Sequence, residues 1–481
     1  MSHSIKANYI FNIINSASQM LFPLITFPYA SRIMMADGIG QVNFFNSIIS
    51  YISLFSCIGI PMYAISEVAK VRNDSVKISV TTVEILVLHA ILTIGGYIAV
   101  AVICMTVSEV QVNIPLFLIL STTIFFTAIG CEWFYQGTED FKYVTTRGLI
   151  VKTVSVVMLF MFVKTKDDIL WYGAYNVIGV LGGNLFNFIR LRRFVDCNVV
   201  RVKDLHPFRH LKPALHIFVY NIIISIYLKL NTVMLGFLKD VIAVGYFTAA
   251  TKLMYMAMSF SNSLGAVMMP RASNLIAEHK MDEFRSIVQR SYDFIVAISI
   301  PLALGLFFTS RSAVLLLCGD SFVHAIFASQ IVAINIVSIG ISGVIGIQVL
   351  YPLGKINIVI LCTFLGAVTN VVLNVLLIPV YGHNGTAIAF AVTEAVVTGT
   401  MLLIGRKFIP VKLVKKQYIH YLVAGIAMAF TLFLIESQSM GNLPTFLLMI
   451  VSGILVYGIC LIVLNDPIGI LILNTVKNKV R

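Results

Sequence analysis

Long apolar runs, separated by short polar segments, are the feature that most constrains this chain. The run from Ile356 to Ile378 contains 23 residues and no charged side chain. As a helix it is long enough to cross a bilayer with some tilt. The whole sequence is 59% hydrophobic and only 11% charged, whereas soluble domains carry about a quarter charged residues. A soluble domain this apolar would expose patches that aggregate, so the sequence predicts an all-α polytopic membrane protein.

The same pattern predicts about fourteen transmembrane helices with short connections. The fifth of these carries Lys152 near its inner end, where the ammonium group can reach the membrane surface. The predicted ranges are 9–34, 42–66, 80–107, 114–136, 146–164, 169–190, 214–237, 241–269, 290–309, 325–350, 356–378, 384–404, 418–436 and 443–464.

The distribution of basic residues gives this scheme an orientation. With the N-terminus inside, the inside segments hold 26 of the 34 Lys and Arg residues, and the outside segments hold 5. The other three, Lys152, Lys229 and Lys252, fall within predicted helices. Because cytoplasmic loops carry an excess of Lys and Arg, we expect an even number of helices and two cytoplasmic termini. The formal net charge of +13 is therefore attributed to topology, and no nucleic-acid partner is expected.

A weak internal repeat relates the two halves of the chain. The segment Asp37–Ile48 resembles the one that ends at Leu253, and the sequence FYQG at Phe134–Gly137 corresponds to YPLG at Tyr351–Gly354. Because each half has six predicted helices, both should insert in the same orientation, as in transporters that bind substrate between two halves. The predicted divisions are a six-helix lobe at 1–205, a second six-helix lobe at 206–410, and two extra helices with a cytoplasmic tail at 411–481.

Three basic residues at membrane depth are candidates for substrate binding. A charged side chain at a helix centre costs roughly 2.5–3.5 kcal/mol on insertion scales, unless water or an anion solvates it. Lys229 lies about two-thirds along the seventh predicted helix, and Lys252 lies about three turns into the eighth. Arg32 ends the first predicted helix. A structural ion pair at Lys229 and an interfacial anchor at Arg32 are the alternatives. Since ammonium and guanidinium groups suit phosphate charge, the three predict a cationic cavity.

Amide side chains give several predicted helices a polar stripe. An amide that faced lipid would leave donors and acceptors unsatisfied, so these side chains should meet another helix or a wet cavity. For Asn370 and Asn374, both contact between helices and cavity lining remain open. The candidate cavity-lining residues are Asn12, Asn15, Gln19, Asn43, Asn46, Asn231, Asn370 and Asn374.

Two acidic residues within predicted helices are candidates for ion coupling. Glu84 lies in the third predicted helix and Glu394 in the twelfth. Each could carry a proton or a sodium ion, or could pair with one of the lysines.

Two charged segments lie between the predicted helices. Arg190–Lys212 is short and basic, and we interpret it as a solvated linker beside anionic lipid. Ala272–Arg290 places apolar residues among charged ones, which is typical of an amphipathic helix on the inner membrane surface.

The sequence contains no recognisable catalytic or cofactor motif. It has neither a GxxxxGK[ST] nucleotide loop nor an HExxH metal motif. Its seven cysteines show no CxxC spacing, so we expect no metal site, no cofactor and no disulfide framework. The chain is therefore not expected to be an enzyme.

Three motifs carry a family resemblance. They are WFYQG with a following Phe141, YPLGK at Tyr351–Lys355, and the pair Asn370 and Asn374 followed by IPxYGxxGxA from Ile378. In these motifs, the chain resembles the polysaccharide and O-antigen flippases of the multidrug, oligosaccharidyl-lipid and polysaccharide exporter superfamily.

The resemblance implies a flippase of the bacterial inner membrane. Its substrate would be an oligosaccharide linked to a polyprenyl pyrophosphate, moved by alternating access through a cationic cavity between two six-helix lobes. Arg32, Lys229 and Lys252 are the residues assigned to that cavity here. Implied partners are the lipid-linked oligosaccharide, membrane lipids and other polysaccharide-assembly membrane proteins. The alternatives are a cation-coupled multidrug exporter of the same superfamily, a membrane-embedded polysaccharide polymerase and a membrane scaffold without transport activity.

Overall fold

A computed structural model describes residues 5–196, 199–438, 441–467, 469 and 470, although the side chains of residues 5–21 and of some later helical residues, mainly in 216–228 and 260–270, are not described. Within these ranges the chain is helical and no β-strand occurs. A π-helix at Val344–Leu350 continues the fourteenth α-helix. The α-helices are α1 Ile5–Cys57, α2 Ile60–Val71, α3 Ser75–Thr106, α4 Ser108–Gln111, α5 Ile114–Ile129, α6 Glu132–Gly137, α7 Phe141–Phe162, α8 Ile169–Leu181, α9 Gly183–Leu191, α10 Leu211–Leu238, α11 Val241–Ala277, α12 Met281–Leu317, α13 Ala325–Ala333, α14 Asn335–Gly343, α15 Ile356–Ile404, α16 Gln417–Glu436 and α17 Asn442–Val463.

The described helices confirm an all-α membrane protein. Among the described residues, ten helical stretches are long and apolar enough to cross a bilayer. Two of them, Phe22–Val71 and Ile356–Ile404, are 50 and 49 residues long. Since about 20 residues span the hydrocarbon core, each of these stretches is long enough for two crossings.

The stretch α15 consists of two helices that lie side by side. Gly382 has φ 54° and ψ −130°, which breaks the helix in a region that favours glycine. Across this break, the amide of Asn370, in the first helix, donates to the hydroxyl of Thr393, in the second, at 3.3 Å. A Cβ atom built on Gly366 would lie 2.3 Å from the side chain of Val397, so the two helices approach closely there. The chain therefore reverses at Gly382 and forms a helical hairpin.

The stretch α1 also reverses, at Met35, where φ is 54° and ψ is −172°. Before this break, the hydroxyl of Tyr29 donates to the carbonyl of Val163, just after α7 ends, at 2.8 Å. After the break, the Gln41 side chain accepts from Asn113, just before α5 begins, at 3.4 Å. The end of α7 and the start of α5 lie at the same end of the bundle, because the short α6 joins their other ends. The two parts of α1 are consequently antiparallel.

The chain divides into two compact units, Met1–Val233 and Met234–Arg481. The division falls within α10, whereas the sequence places the lobe boundary at residues 205 and 206. In the first unit, one core is built around the buried aromatic residues Trp133, Phe134 and Tyr135.

The helices α16 and α17 pack within the second unit. The hydroxyl of Tyr457 in α17 donates to the carbonyl of Ala297 in α12 at 2.6 Å. Buried Met428 and Met449, from α16 and α17, form a cluster against Leu304 of α12. The two extra helices predicted from residue 411 onward thus share a core with α12.

The prediction of a surface helix over Ala272–Arg290 is wrong. The segment comprises the end of α11, a tight turn, and the start of α12. His279 makes the turn with φ 58°. Leu275, Phe284 and Val288 are all buried, since they pack inside the second unit instead of facing a membrane surface.

Candidate functional site

The three cationic candidates lie on three different helices. Arg32 is exposed near the end of the first part of α1, and Lys229 is exposed in α10. Lys252 is half-buried in α11. Arg32 and Lys229 belong to the first unit, and Lys252 belongs to the second. Their convergence on a single cavity stays a prediction.

The amides of the predicted polar stripes differ in their surroundings. Asn43 and Asn46 are half-buried in the second part of α1, and the Asn43 amide donates to the carbonyl of Ile39 in its own helix at 2.7 Å. Asn231 is buried in α10. The candidates in the first predicted helix lie outside the described side chains; they are Asn12, Asn15 and Gln19.

The paired amides of α15 lie inside its helical hairpin. Asn370 and Asn374 are fully buried, and the Asn374 amide donates to the Asn370 carbonyl oxygen at 2.9 Å. Asn370 in turn donates to Thr393 across the hairpin. Of the two interpretations left open by the sequence, these contacts favour a hydrogen bond between helices.

The two acidic candidates have different surroundings. Glu394 is buried in the second part of α15, next to Thr393. Glu84 is fully buried in α3 and accepts from the backbone amide of His206 at 2.7 Å. Glu84 also forms an ion pair with the Arg209 guanidinium, and it lies 3.0 Å from Nε2 of His210.

The prediction that Arg190–Lys212 is a solvated linker is wrong at His210, near the end of the segment. His210 is only 3% exposed, and its Nδ1 lies 2.8 Å from the Tyr63 hydroxyl. Tyr63 belongs to α2 and Glu84 to α3. The imidazole therefore joins the segment before α10 to two helices of the first unit, and its burial follows from having polar partners on both ring nitrogens.

A second acid, which sequence reasoning missed, makes similar contacts in the second unit. Asp293 of α12 lies 2.6 Å from Nζ of Lys415 and accepts from the Tyr418 hydroxyl at 2.7 Å. Its neighbour Gln289 donates to it at 2.7 Å. Asp293 thus fastens the segment before α16. No motif marks it, because Lys415 and Tyr418 lie more than a hundred residues further along the chain.

The WFYQG motif forms a structural centre of the first unit. The Tyr135 hydroxyl donates to the carbonyl of Asn187 at 2.7 Å. The Arg190 guanidinium lies 3.8 Å from the centroid of the Tyr143 ring and 2.8 Å from the Asp140 carboxylate. These contacts join α6, α7 and α9, so the motif holds the bundle together at this point.

The sequence matches a known protein family. A family model described as "Polysaccharide biosynthesis protein" matches residues 5–276, which is more than half of the chain. The chain belongs to this family. The predicted resemblance is thereby confirmed.

Three curated proteins are similar to this chain, two of them along nearly their whole length. A Shigella dysenteriae protein named as an O-antigen transporter is 25% identical over 82% of this chain and 99% of its own length. An Escherichia coli protein of the same name is 22% identical over 84% of this chain and 97% of its own length. A Haloferax volcanii protein named as a glycan biosynthesis flippase is 24% identical over about half of each chain.

Solved structures show the same fold at low sequence identity. The lipid II flippase MurJ, in an inward closed conformation, has a TM-score of 0.67 at 12% identity and covers 94% of this chain and 98% of its own. An inward-facing multidrug resistance transporter of the MATE family has a TM-score of 0.66 at 14% identity, with 81% and 94% covered. These relatives and fold neighbours are transporters and flippases. The names of the three curated relatives confirm the prediction that this member of the polysaccharide biosynthesis protein family is not an enzyme.

Proposed function

We propose that the chain is a flippase for an oligosaccharide linked to a polyprenyl pyrophosphate, such as an O-antigen or capsule repeat unit. It would carry this substrate across the bacterial inner membrane by alternating access. The observation that carries the proposal is the similarity over 99% of the length of an O-antigen transporter, within a polysaccharide biosynthesis family. The fold alone does not choose the substrate, because a lipid flippase and a multidrug transporter match it almost equally well.

The chemistry of Lys229 supports an anionic substrate. Its side chain is exposed, in a helix whose sequence is otherwise strongly apolar. An exposed ammonium at this depth faces either hydrocarbon or water, and contact with hydrocarbon costs several kcal/mol. We therefore propose that Lys229 lies in a hydrated cavity where a pyrophosphate group would bind it, as the sequence also predicts for Lys252 and Arg32. The polyprenyl tail would stay in lipid.

The proposed topology has fourteen transmembrane helices in two six-helix lobes, followed by two extra helices. Support comes from the ten apolar stretches, of which two reverse direction at Met35 and Gly382. The helix pair α8 and α9 and the 28-residue α10 would supply the other two crossings. Both termini would then be cytoplasmic, in agreement with the positive charge of the inside loops.

Coupling to an ion remains part of the proposal. Glu84 and Glu394 are the candidates for carrying a proton or sodium ion, and for Glu84 this role would disturb existing contacts. The Glu84 oxygens already contact Arg209, His210 and the His206 amide. Breaking these contacts to bind an ion would leave buried polar groups without partners.

Replacement of Lys229 tests the proposal in cells that lack their own copy of the protein. Lys229→Ala should abolish surface polysaccharide and cause lipid-linked repeat units to accumulate on the inner leaflet, because the pyrophosphate loses its partner. Lys229→Arg should retain part of the activity, since the charge is kept. Lys166→Ala is the matched control, because Lys166 is exposed between α7 and α8. Normal polysaccharide in Lys229→Ala, at equal membrane abundance, would remove Lys229 from the site.

A further inference from the structure

The segment between α15 and α16, residues 405–416, is here called the strap. It is fastened to α12 by three contacts. Lys415 pairs with Asp293 at 2.6 Å, and the backbone amide of Lys412 donates to the Gln289 carbonyl oxygen at 2.7 Å. The Tyr292 hydroxyl of α12 donates to the carbonyl of Leu413 at 3.5 Å. The strap is therefore held in a defined position on the second unit.

The strap presents more positive charge than these contacts use. It contains five basic residues and no acidic one. Lys415 makes the ion pair with Asp293, whereas the other four are exposed; they are Arg406, Lys407, Lys412 and Lys416. Lys355, just before α15, is also exposed, and its Nζ lies 4.7 Å from the ring centroid of Phe408 in the strap. Five exposed positive charges therefore occur on the strap and beside it.

An exposed apolar side chain lies among these charges. Val414 is 87% exposed, between Lys412 and Lys416. The strap joins two helical stretches that are each long and apolar enough to cross a membrane, Ile356–Ile404 and Gln417–Glu436. It must therefore lie at the membrane surface. At that depth an apolar side chain can enter the acyl boundary while flanking ammonium groups reach the headgroups.

We propose that the strap, together with Lys355, is a binding surface for anionic phospholipids of the surrounding bilayer. The exposed lysines and arginines contact the headgroup phosphates, and Val414 inserts beneath them. Charge complementarity selects anionic lipids over zwitterionic ones, because the strap has no acid to contact a choline group. The ion pair between Lys415 and Asp293 sets the depth of the strap. This inference does not depend on which substrate the protein transports.

Lipid titration of the purified full-length chain tests the surface. Phosphatidylglycerol should raise the melting temperature in detergent, and phosphatidylcholine should not. The double variant Lys412→Gln/Lys416→Gln should bind phosphatidylglycerol roughly thirtyfold more weakly, since each lysine near an anionic surface contributes about a factor of five. The variant Lys164→Gln/Lys166→Gln removes the same charge from exposed positions between α7 and α8, and should bind as the unaltered chain does.

The outcomes separate a local site from general attraction. An equal loss of phosphatidylglycerol binding in both double variants would overturn the proposal, because net charge alone would then explain the binding. Unchanged binding in Lys412→Gln/Lys416→Gln, or equal binding of phosphatidylcholine, would also overturn it. The proposal would also be overturned if inorganic pyrophosphate bound the strap while the substitutions left phosphatidylglycerol binding unchanged. Melting without lipid should be the same for all variants, since the replaced side chains are exposed.

Discussion

At the scale of single residues, Glu84 shows how this chain accommodates a charge within an apolar helix. Its carboxylate is 1% exposed, yet it contacts the Arg209 guanidinium, the His210 ring and the His206 backbone amide. A buried carboxylate is tolerated when opposite charge and hydrogen bonds replace its hydration. The sequence indicates that Glu84 is unusual. It does not indicate the partners, because they lie more than 120 residues away.

The Glu84 contacts predict a loss of stability on neutralisation. Glu84→Gln should lower the free energy of unfolding by about 2 kcal/mol, because it removes charged hydrogen bonds from a buried site, while partly exposed Arg209 can still be hydrated. The control is Glu67→Gln, since Glu67 pairs with exposed Lys70 and such surface pairs contribute little. Thermal unfolding in detergent, monitored by size-exclusion chromatography, measures both. Equal melting temperatures for the two variants would show that the Glu84 contacts do not stabilise the fold.

At the scale of elements, the helical hairpin of α15 was partly predictable. The sequence predicts separate helices at 356–378 and 384–404, and the structure places the reversal between them at Gly382. Pro379 and the glycines around it mark the break in the sequence. The side-by-side contact of Gly366 with Val397 was not predictable, because periodicity identifies an apolar face without identifying its partner.

The hairpin predicts a contrast between two of its glycines. A Cβ atom at Gly385 would lie 2.4 Å from the backbone carbonyl of Leu377, whereas one at Gly399 would meet nothing within 4 Å. Gly385→Ala should therefore destabilise the protein by roughly 1–3 kcal/mol, as overpacking does. Gly399→Ala should be neutral or slightly stabilising, because alanine favours a helix. Heat challenge of the two purified variants measures the difference, and a tolerated Gly385→Ala would argue against the tight reversal.

A second feature at this scale is a pair of corresponding contacts. Glu84 of α3 fastens the segment before α10, and Asp293 of α12 fastens the segment before α16. In the predicted repeat, α3 and α12 are the third helices of the first and second halves. Each acid therefore holds the basic segment that follows the sixth helix of its own half. This correspondence supports the internal repeat with an observation independent of the short sequence matches.

At the scale of the whole molecule, the class of protein followed from the sequence, and the arrangement of the site did not. Composition and apolar runs were sufficient to predict an all-α membrane protein, because hydrocarbon requires helices with internally paired backbones. The three motifs, WFYQG, YPLGK and the one that begins with Asn370 and Asn374, together predicted the correct family. The spacing of Asn370 and Asn374 did not reveal that both amides are buried within one hairpin. A cavity depends on which helix faces approach one another across the two halves, and Lys229 and Lys252 alone do not specify this.

The central claim is that exposed Lys229 helps a sugar pyrophosphate to cross the membrane. An assay in proteoliposomes tests this directly. The purified protein is reconstituted with a labelled lipid-linked oligosaccharide, and the fraction of label that becomes accessible on the opposite leaflet is measured over time. The unaltered chain should translocate the lipid, and Lys229→Ala should be slower by about tenfold or more, as expected for loss of a charged hydrogen bond. Lys229→Arg should fall between them. Absence of translocation by the unaltered chain, or equal rates for Lys229→Ala, would contradict the account.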